Sequence, residues 1–419
     1  MGSRDRMLLT ETEKKRLGKL FDYYRISRGI SIKQIEGEGL SAYSTFHYAT
    51  KGKVIKNDEF YLNYLDYFGL SFKCKDNFEE WLSDYLIRLL HVFEYYEEDR
   101  FDELYHEMIQ ELAPYKNSVI YHEYMRVFEY LFSYYRNNTY MRLEEVNDCL
   151  VMIKTDIIED ELKILLLDLM FRSNNDFIGS YELADKIKVW TLKFEYHPLM
   201  KYQLAFYNKY ECHFLKALDL FKESLNIFEE QQNYYWQIKC RLSIYGVYRN
   251  IDDSLAQEEA EKLLEMEKNI DMPKALKKNI NYSIGMDNYL NKRYKNAYEL
   301  FMENIKKYQS LNELLFVCSI CSHNQMEYPK ELCEENINTR YDADYLRYFL
   351  MVKEGANDDE LVEYIMKRII PDQLKYQKYY HPFWSLMEYE IEKIALRNTK
   401  HKKSYLKFHQ KMNEFIRNA

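Results

Sequence analysis

Between residues 10 and 72 the apolar positions recur in four short runs, each opened and closed by polar or glycine punctuation. Thr10-x-x-Glu13 has the form of a capping box. Leu17, Leu20, Phe21 and Tyr24 come next at helical spacing, so a first helix with one buried stripe is expected, ended by Gly29. Ser31-x-x-Gln34 opens a second helix with Ile32 and Ile35 facing inward. Gly37-Glu38-Gly39 supplies a turn. A third helix starts at Ser41 or Ala42, uses Phe46 and Ala49 as its core face, and closes at Lys51-Gly52-Lys53. A fourth begins near Asp58, carries Phe60, Leu65 and Phe68, and stops at Gly69.

From Asp76 onward the pattern lengthens. Asn77 reads as the cap of a helix beginning Phe78-Glu79-Glu80-Trp81, expected to link this head to the body of the chain. Pairs of amphipathic helices then recur at a spacing of roughly 35–42 residues. The stretch 202–228 carries Ala205, Ala217, Phe221 and Ser224, and the stretch 281–308 carries Gly285, Ala297 and Phe301. A weaker copy has Gly246 with Ala256 and Ala260, and further pairs are expected over 80–115, 119–155, 160–195, 340–372 and 378–416. Such units cannot bury their faces alone and must stack. The expected organisation is a leader of foreign residues at 1–6, a head at 7–72, a linker helix at 73–98, and repeats over 99–419 closed by a C-terminal capping helix.

Charge and glycine divide the chain at the same place. Residues 1–75 hold 14 Lys/Arg against 9 Asp/Glu, while the remainder holds 45 against 59. A basic head on an acidic body is what is expected if only the head meets phosphate. Seven of the 11 glycines fall in the first 69 residues, which leaves the body suited to long packed helices. The 42 tyrosines read as amphipathic filler between helices, with part of them lining a groove.

In the head, Arg25-x-x-Arg28-Gly29-Ile30-Ser31, Lys51-Gly52-Lys53 and Tyr67-Phe68-Gly69-Leu70-Ser71 resemble the lambda-repressor/Cro-like (XRE) helix-turn-helix family. Two positions depart from it: Ile32 stands where that family has Gln, and Thr50 where it has Glu. The resemblance implies that the third helix enters the major groove and offers Tyr43, Ser44, Thr45, His47 and Tyr48 to base edges. Lys33, Lys51, Lys53 and Lys56 would then contact phosphates. The spacing of small residues and Phe in the two clearest pairs resembles tetratricopeptide repeats. The expected fold is thus all-α, a helix-turn-helix head followed by a right-handed tetratricopeptide-like superhelix. Counted from the small residues, its inner face would show Tyr202, Phe206 and Lys209, then Val247 and Asn250, then Asn279, Tyr282, Met286 and Tyr289. Amides there could pair with a peptide main chain while the aromatics hold its side chains.

A head and body of these kinds together resemble the RNPP family of Bacillota quorum-sensing regulators, with the Rgg relatives. That resemblance implies a cytosolic homodimer that binds operator DNA and a short signalling peptide. A protein-interaction scaffold and a phage-type communication-peptide receptor are the alternatives. No apolar run approaches the length of a membrane span, and no secretory leader is expected. No phosphate-cradling glycine loop and no H-E-x-x-H occur, so neither an enzyme nor a cofactor is expected. Cys318-x-x-Cys321-x-His323, with Cys333 beyond, sits in an apolar helix and reads as core rather than as a metal site.

Overall fold

The computed structural model describes residues 9–270, 272–311, 313–324, 329–336, 343–371 and 382–418. The expected leader at 1–6 lies outside them. The described residues are helical, without strands. They fall into two compact units, 1–259 and 260–419, divided inside one helix.

In the first unit the head consists of α1 (Glu11–Ser27), α2 (Ile32–Gly37), α3 (Tyr43–Thr50) and α4 (Asp58–Tyr67). Both capping boxes form, Thr10 with Glu13 and Ser31 with Gln34. Phe21, Phe46, Phe60, Tyr61, Tyr64 and Phe68 build an aromatic core. Tyr64 stacks on Phe21 with ring centroids 5.2 Å apart, and its hydroxyl meets Ser41 Oγ at 2.7 Å. α1 and α3 touch through Gly18, where an added Cβ would lie 2.4 Å from the Ala49 carbonyl oxygen.

The body of this unit continues with α5 (Phe78–Tyr95), α6 (Glu98–Leu112), α7 (Val119–Asn137), α8 (Leu143–Thr155), α9 (Asp160–Ser173) and α10 (Tyr181–Thr191). It then runs through α11 (Pro198–Tyr210), α12 (Phe214–Glu230), α13 (Tyr234–Tyr248) and α14 (Asp253–Asn269), the last of which contains the division. α11 and α12 form an antiparallel hairpin: Ser224 Oγ donates to the Pro198 carbonyl at 2.9 Å, and the Phe221 ring meets Tyr202 and Phe206.

Two elements differ from the sequence reading. Asn77 precedes α5 in the left-handed region (φ 56°) and makes no side-chain cap bond. α5, expected as the helix linking head to body, is also packed into the body. Leu82, Tyr85, Leu86, Leu89, Val92 and Phe93 are all buried and form one apolar stripe along the helix. α5 packs against α6, α9 and α13. Its C-terminal end is tied to the α12–α13 turn, where Asn233 Nδ2 donates to the Glu94 carbonyl and Tyr95 Oη to the Gln231 carbonyl, each at 3.0 Å. α5 therefore covers part of the face that the first helices of the pairs were expected to leave open.

The second unit contains α15 (Lys274–Leu290), α16 (Tyr294–Tyr308), α17 (Leu314–His323), α18 (Lys330–Asn336), α19 (Ala343–Lys353), α20 (Asp358–Tyr364), α21 (Pro382–Arg397) and α22 (Lys402–Asn418). Gly285 of α15 meets the Phe301 ring of α16. Buried Asn304 Nδ2 donates to the Lys278 carbonyl and to Glu313 Oε1, each at 2.9 Å. Leu314, Phe316, Tyr345, Phe349, Ile365, Ile391 and Phe408 fill its core.

Candidate functional site

The head exposes one face of α3. Tyr43, Ser44, His47 and Tyr48 are exposed, Thr45 is half-buried, and Phe46 and Ala49 point into the core. The Tyr43 and His47 rings stack at 6.0 Å, and Lys53 Nζ lies 5.7 Å from the Tyr48 ring centroid. Lys33, Lys51, Lys53 and Lys56 are exposed around this face, and none is paired with a carboxylate among the described residues.

Most cations of α1 are treated differently, Lys15 being exposed and without a carboxylate partner among the described residues. Lys14 pairs with Asp58 at 2.6 Å, and Lys19 with Asp156. Arg16 Nε donates to Glu79 Oε1, and its Nη2 pairs with Glu159 Oε1, each at 2.8 Å, while Nη1 reaches Tyr124 Oη. Burial alone would lower the Arg16 pKa, but Tyr124, Glu79 and Glu159 outweigh it and hold the group charged. One turn further on, Tyr23 Oη donates to Asp148 Oδ1 at 2.7 Å and Tyr24 Oη to Glu123 Oε1 at 2.5 Å. Arg126 closes this network onto Glu123 (2.6 Å), Asp148 (2.8 Å) and the Tyr23 hydroxyl. Burial, and then the Glu123 charge, raises both tyrosine pKa values. The segment after α4 is pinned as well: Val119 N donates to the Ser71 carbonyl at 2.9 Å, and Lys75 N to Tyr121 Oη at 2.7 Å. The head is thus seated on α7, α8 and the start of α9 through a polar seam. This explains why Tyr23, absent from the expected stripe, is buried while Tyr24 is only half-buried: α1 has a second covered face.

A second feature lies beyond the C-terminal end of α5. Tyr96 stacks flat on Tyr235 with centroids 4.7 Å apart, and Tyr135 stacks on Phe93 at 4.0 Å. Arg172 of α9 holds buried Asp168 through Nε at 2.7 Å, lies 5.3 Å from the Trp236 ring centroid, and reaches Tyr134 Oη at 3.4 Å. Gln203 Nε2 donates to the same Asp168 at 2.6 Å. Tyr140 Oη donates at 3.0 Å to Asp176, which lies in a π-helical segment (Asn174–Ile178). Phe206 and Lys209 of α11 and Tyr235 and Lys239 of α13 carry this aromatic wall onward; each is half-buried. Burial, and then Arg172, lowers the Lys239 amine to about 8. A cavity of about 150 Å³ opens beside the π-helical segment, lined by Phe171, Asn174, Tyr181, Tyr207 and Tyr210 among others.

Of the residues expected to line a groove, Phe206 and Lys209 belong to this wall. Tyr202 and Val247 do not line it. Both are core residues, Tyr202 wedged among Phe206, Phe221 and Trp236 with its hydroxyl on Ser243, and Val247 without exposure. Asn250 is exposed but turns its amide onto the Gly246 carbonyl of its own helix at 2.8 Å. In the second unit Asn279 is exposed, Tyr282 and Met286 are half-buried, and Tyr289 is engaged with Ser319 at 2.9 Å and the Phe316 ring. The sequence reading missed Tyr96, Arg172, Tyr235 and Lys239. Tyr96 follows α5, Arg172 lies on α9 and Tyr235 and Lys239 on α13, segments distant in sequence that pack together.

Cys318, Cys321 and Cys333 are buried, with the Cys318 and Cys333 sulfurs 3.3 Å apart. Among the described residues no group of three or more His, Cys, Asp or Glu side chains is arranged to hold a metal, and no helix is long and apolar enough to cross a membrane. The His323 side chain lies outside the described residues. Comparison with protein-family models, curated proteins and solved structures finds no match.

Proposed function

We propose that the chain is a ligand-controlled DNA-binding regulator of the kind that the RNPP resemblance implies. In this reading α2 and α3 act as a helix-turn-helix, with α3 in the major groove. A short peptide is the ligand, and a homodimer in the cytosol reads two half-sites. The observation that carries it is the partition of cations on the head. Arg16 and Lys19 on α1, which face the body, are neutralised by carboxylates, whereas Lys33, Lys51, Lys53 and Lys56 flank an exposed helix of hydroxyl and aromatic side chains and are left uncompensated among the described residues. Unpaired lysines around a protruding helix are what phosphate neutralisation requires. The polar seam supports the regulatory half of the proposal, because a ligand that shifts α7–α9 would carry the head with it.

The test is selection of bound sequences from a random duplex pool at low salt, followed by affinity against salt concentration. Wild-type protein should enrich a two-half-site sequence. The Lys51→Ala/Lys53→Ala variant should weaken all duplexes alike and flatten the log–log salt slope by roughly 0.9 per lost phosphate contact, or about 1.8 in all. Failure to retain any duplex from the pool would sink the reading.

A further inference from the structure

We propose that the tyrosine-rich wall beyond the end of α5 is a carboxylate-binding site, on which Lys239 and Lys209 receive an anionic group of a short peptide. This rests on the reading of the protein as a peptide-responsive regulator and names the chemistry by which the ligand would be held.

Two lysines on this wall lack a counter-ion. Lys239 lies over its own Tyr235 ring (5.7 Å to the centroid) and Lys209 over its own Phe206 ring (5.6 Å), and neither forms a hydrogen bond or ion pair with a carboxylate among the described residues. Several half-buried cations elsewhere in this unit are compensated, Arg16 by Glu79 and Glu159, Lys163 by Asp156 and Asp160, Arg241 by Glu229 and Glu259, whereas Lys188 has only the Tyr207 ring among the described residues. Desolvating an ammonium without a partner is costly, so two such groups on one wall mark a place where the counter-charge comes from outside. The carboxylates closest to Lys239 are already engaged, Asp168 by Arg172 and Gln203, and Asp176 by Tyr140.

Gly246 supplies an independent observation. It lies inside α13, where glycine weakens a helix by about 1 kcal/mol relative to alanine. A Cβ there would sit 3.0 Å from Lys209 Nζ. The missing side chain leaves the Lys209 amine room to lie against α13. Residues 239 and 246 are seven apart, hence on the same face and about 10 Å apart along the axis. The two cations therefore flank one strip of α13, at whose N-terminal end Tyr235 stacks on Tyr96. An extended peptide of three or so residues spans that distance, its carboxylate on an ammonium and its apolar atoms on the rings.

Three pools of random heptapeptides separate the sources of the carboxylate: one with free C-termini and no Asp or Glu, one amidated but containing Asp and Glu, and one amidated without them. Binding is read by fluorescence anisotropy against the full chain. The proposal expects the first or second pool to bind and the third to fail. It also expects Lys239→Met to weaken the binding pool about tenfold or more, the scale of a charge-assisted hydrogen bond, with Lys239→Arg restoring most of it. Gly246→Ala, which displaces Lys209 without touching its charge, should weaken the same pool at unchanged or raised thermal stability. Equal binding of all three pools, insensitive to Lys239→Met, overturns the carboxylate site and leaves a peptide receptor. No binding of any pool overturns the receptor reading with it.

Discussion

Replacing Arg126 with methionine tests whether the head is built into the body. Among the described residues the guanidinium is the only partner of Glu123 Oε2 and Asp148 Oδ2, at 2.6 and 2.8 Å, and it also supports the Tyr23 hydroxyl. Methionine keeps most of the stem and removes the charge. Glu123, whose side chain is 5% exposed, would retain only the Tyr24 hydroxyl. Breaking a fully buried pair costs about 3–5 kcal/mol. Here Arg126 and Asp148 keep 28% and 24% of their exposure, so water compensates in part and about 2–3 kcal/mol is expected. For a unit of this size that is a fall in melting temperature of about 5–10 °C. Hydrogen exchange should rise first across α1 and leave the α11–α12 hairpin protected. The Arg126→Met/Tyr23→Phe pair should be less damaging than the sum of the single variants by about 1 kcal/mol. A change in melting temperature below about 1 °C, or additivity of the pair, would refute a coupled seam and leave the head as a tethered domain.

Gly18→Ala should destabilise the head by about 1–3 kcal/mol despite the better helix propensity of alanine, because the new methyl meets a backbone oxygen that cannot swing aside; thermal unfolding monitored by near-UV signal from the head tyrosines checks this. Tyr43→Ala or Ser44→Ala should change the enriched half-site sequence while preserving the salt slope, and an unchanged consensus would remove α3 from the groove. Acid should loosen the seam at Asp156. Burial raises its pKa, but Lys163 and Lys19 more than reverse this and hold the group below its usual 3.8. A depressed carboxylate stabilises the folded state above the unfolded pKa and loses that contribution as pH falls from about 3.8 through the folded value; α1 exchange measured between pH 5 and 3 should rise in that window, and Asp156→Asn should abolish the pH dependence of that rise. Carboxylate-peptide affinity should fall as pH rises through about 8, where Lys239, faced by Arg172 and Asp168 of α9, Asp176 and its own Tyr235, loses its proton; calorimetry in buffers of differing ionisation enthalpy would detect proton uptake on binding, and its absence would remove Lys239 from the contact.

The elements of the head were legible because their signals are local. Thr10 and Glu13, or Ser31 and Gln34, satisfy helix ends within three residues, and Gly29, Gly39, Gly52 and Gly69 all adopt positive φ where the turns need it. The hairpins at 202–228 and 281–308 were legible for the same reason: Ala205, Ala217 and Phe221 record the approach of neighbouring helices. What the pattern does not encode is which face a third helix covers. Tyr202 and Val247 have the spacing of groove residues, yet α11, α12 and α13 close around them. Tyr61 and Tyr64 fall outside the apolar set expected for α4, yet they are buried, with Ile55 N donating to one hydroxyl and Ser41 Oγ bonding the other. The aromatic wall was illegible because it depends on α5 packing against α9 and α13, contacts between helices far apart in the chain.

The seam between α1 and the body also sets a rule for dissecting this protein. From the head, Arg16 pairs with Glu79 and Glu159 and Lys19 with Asp156, while the Tyr23 and Tyr24 hydroxyls donate to Asp148 and Glu123, whose counter-ion is the body's own Arg126. A fragment starting after α4 leaves Glu79 and Glu159 without Arg16 and strips Glu123, Asp148 and Asp156 of one partner each, so it inherits an excess of acid where the intact chain has a closed joint. Such a headless body should be more stable in mild acid or high salt than at neutral pH. Conversely, an α1–α4 cassette grafted onto another scaffold will hold a defined orientation only if these five acceptors are transplanted with it.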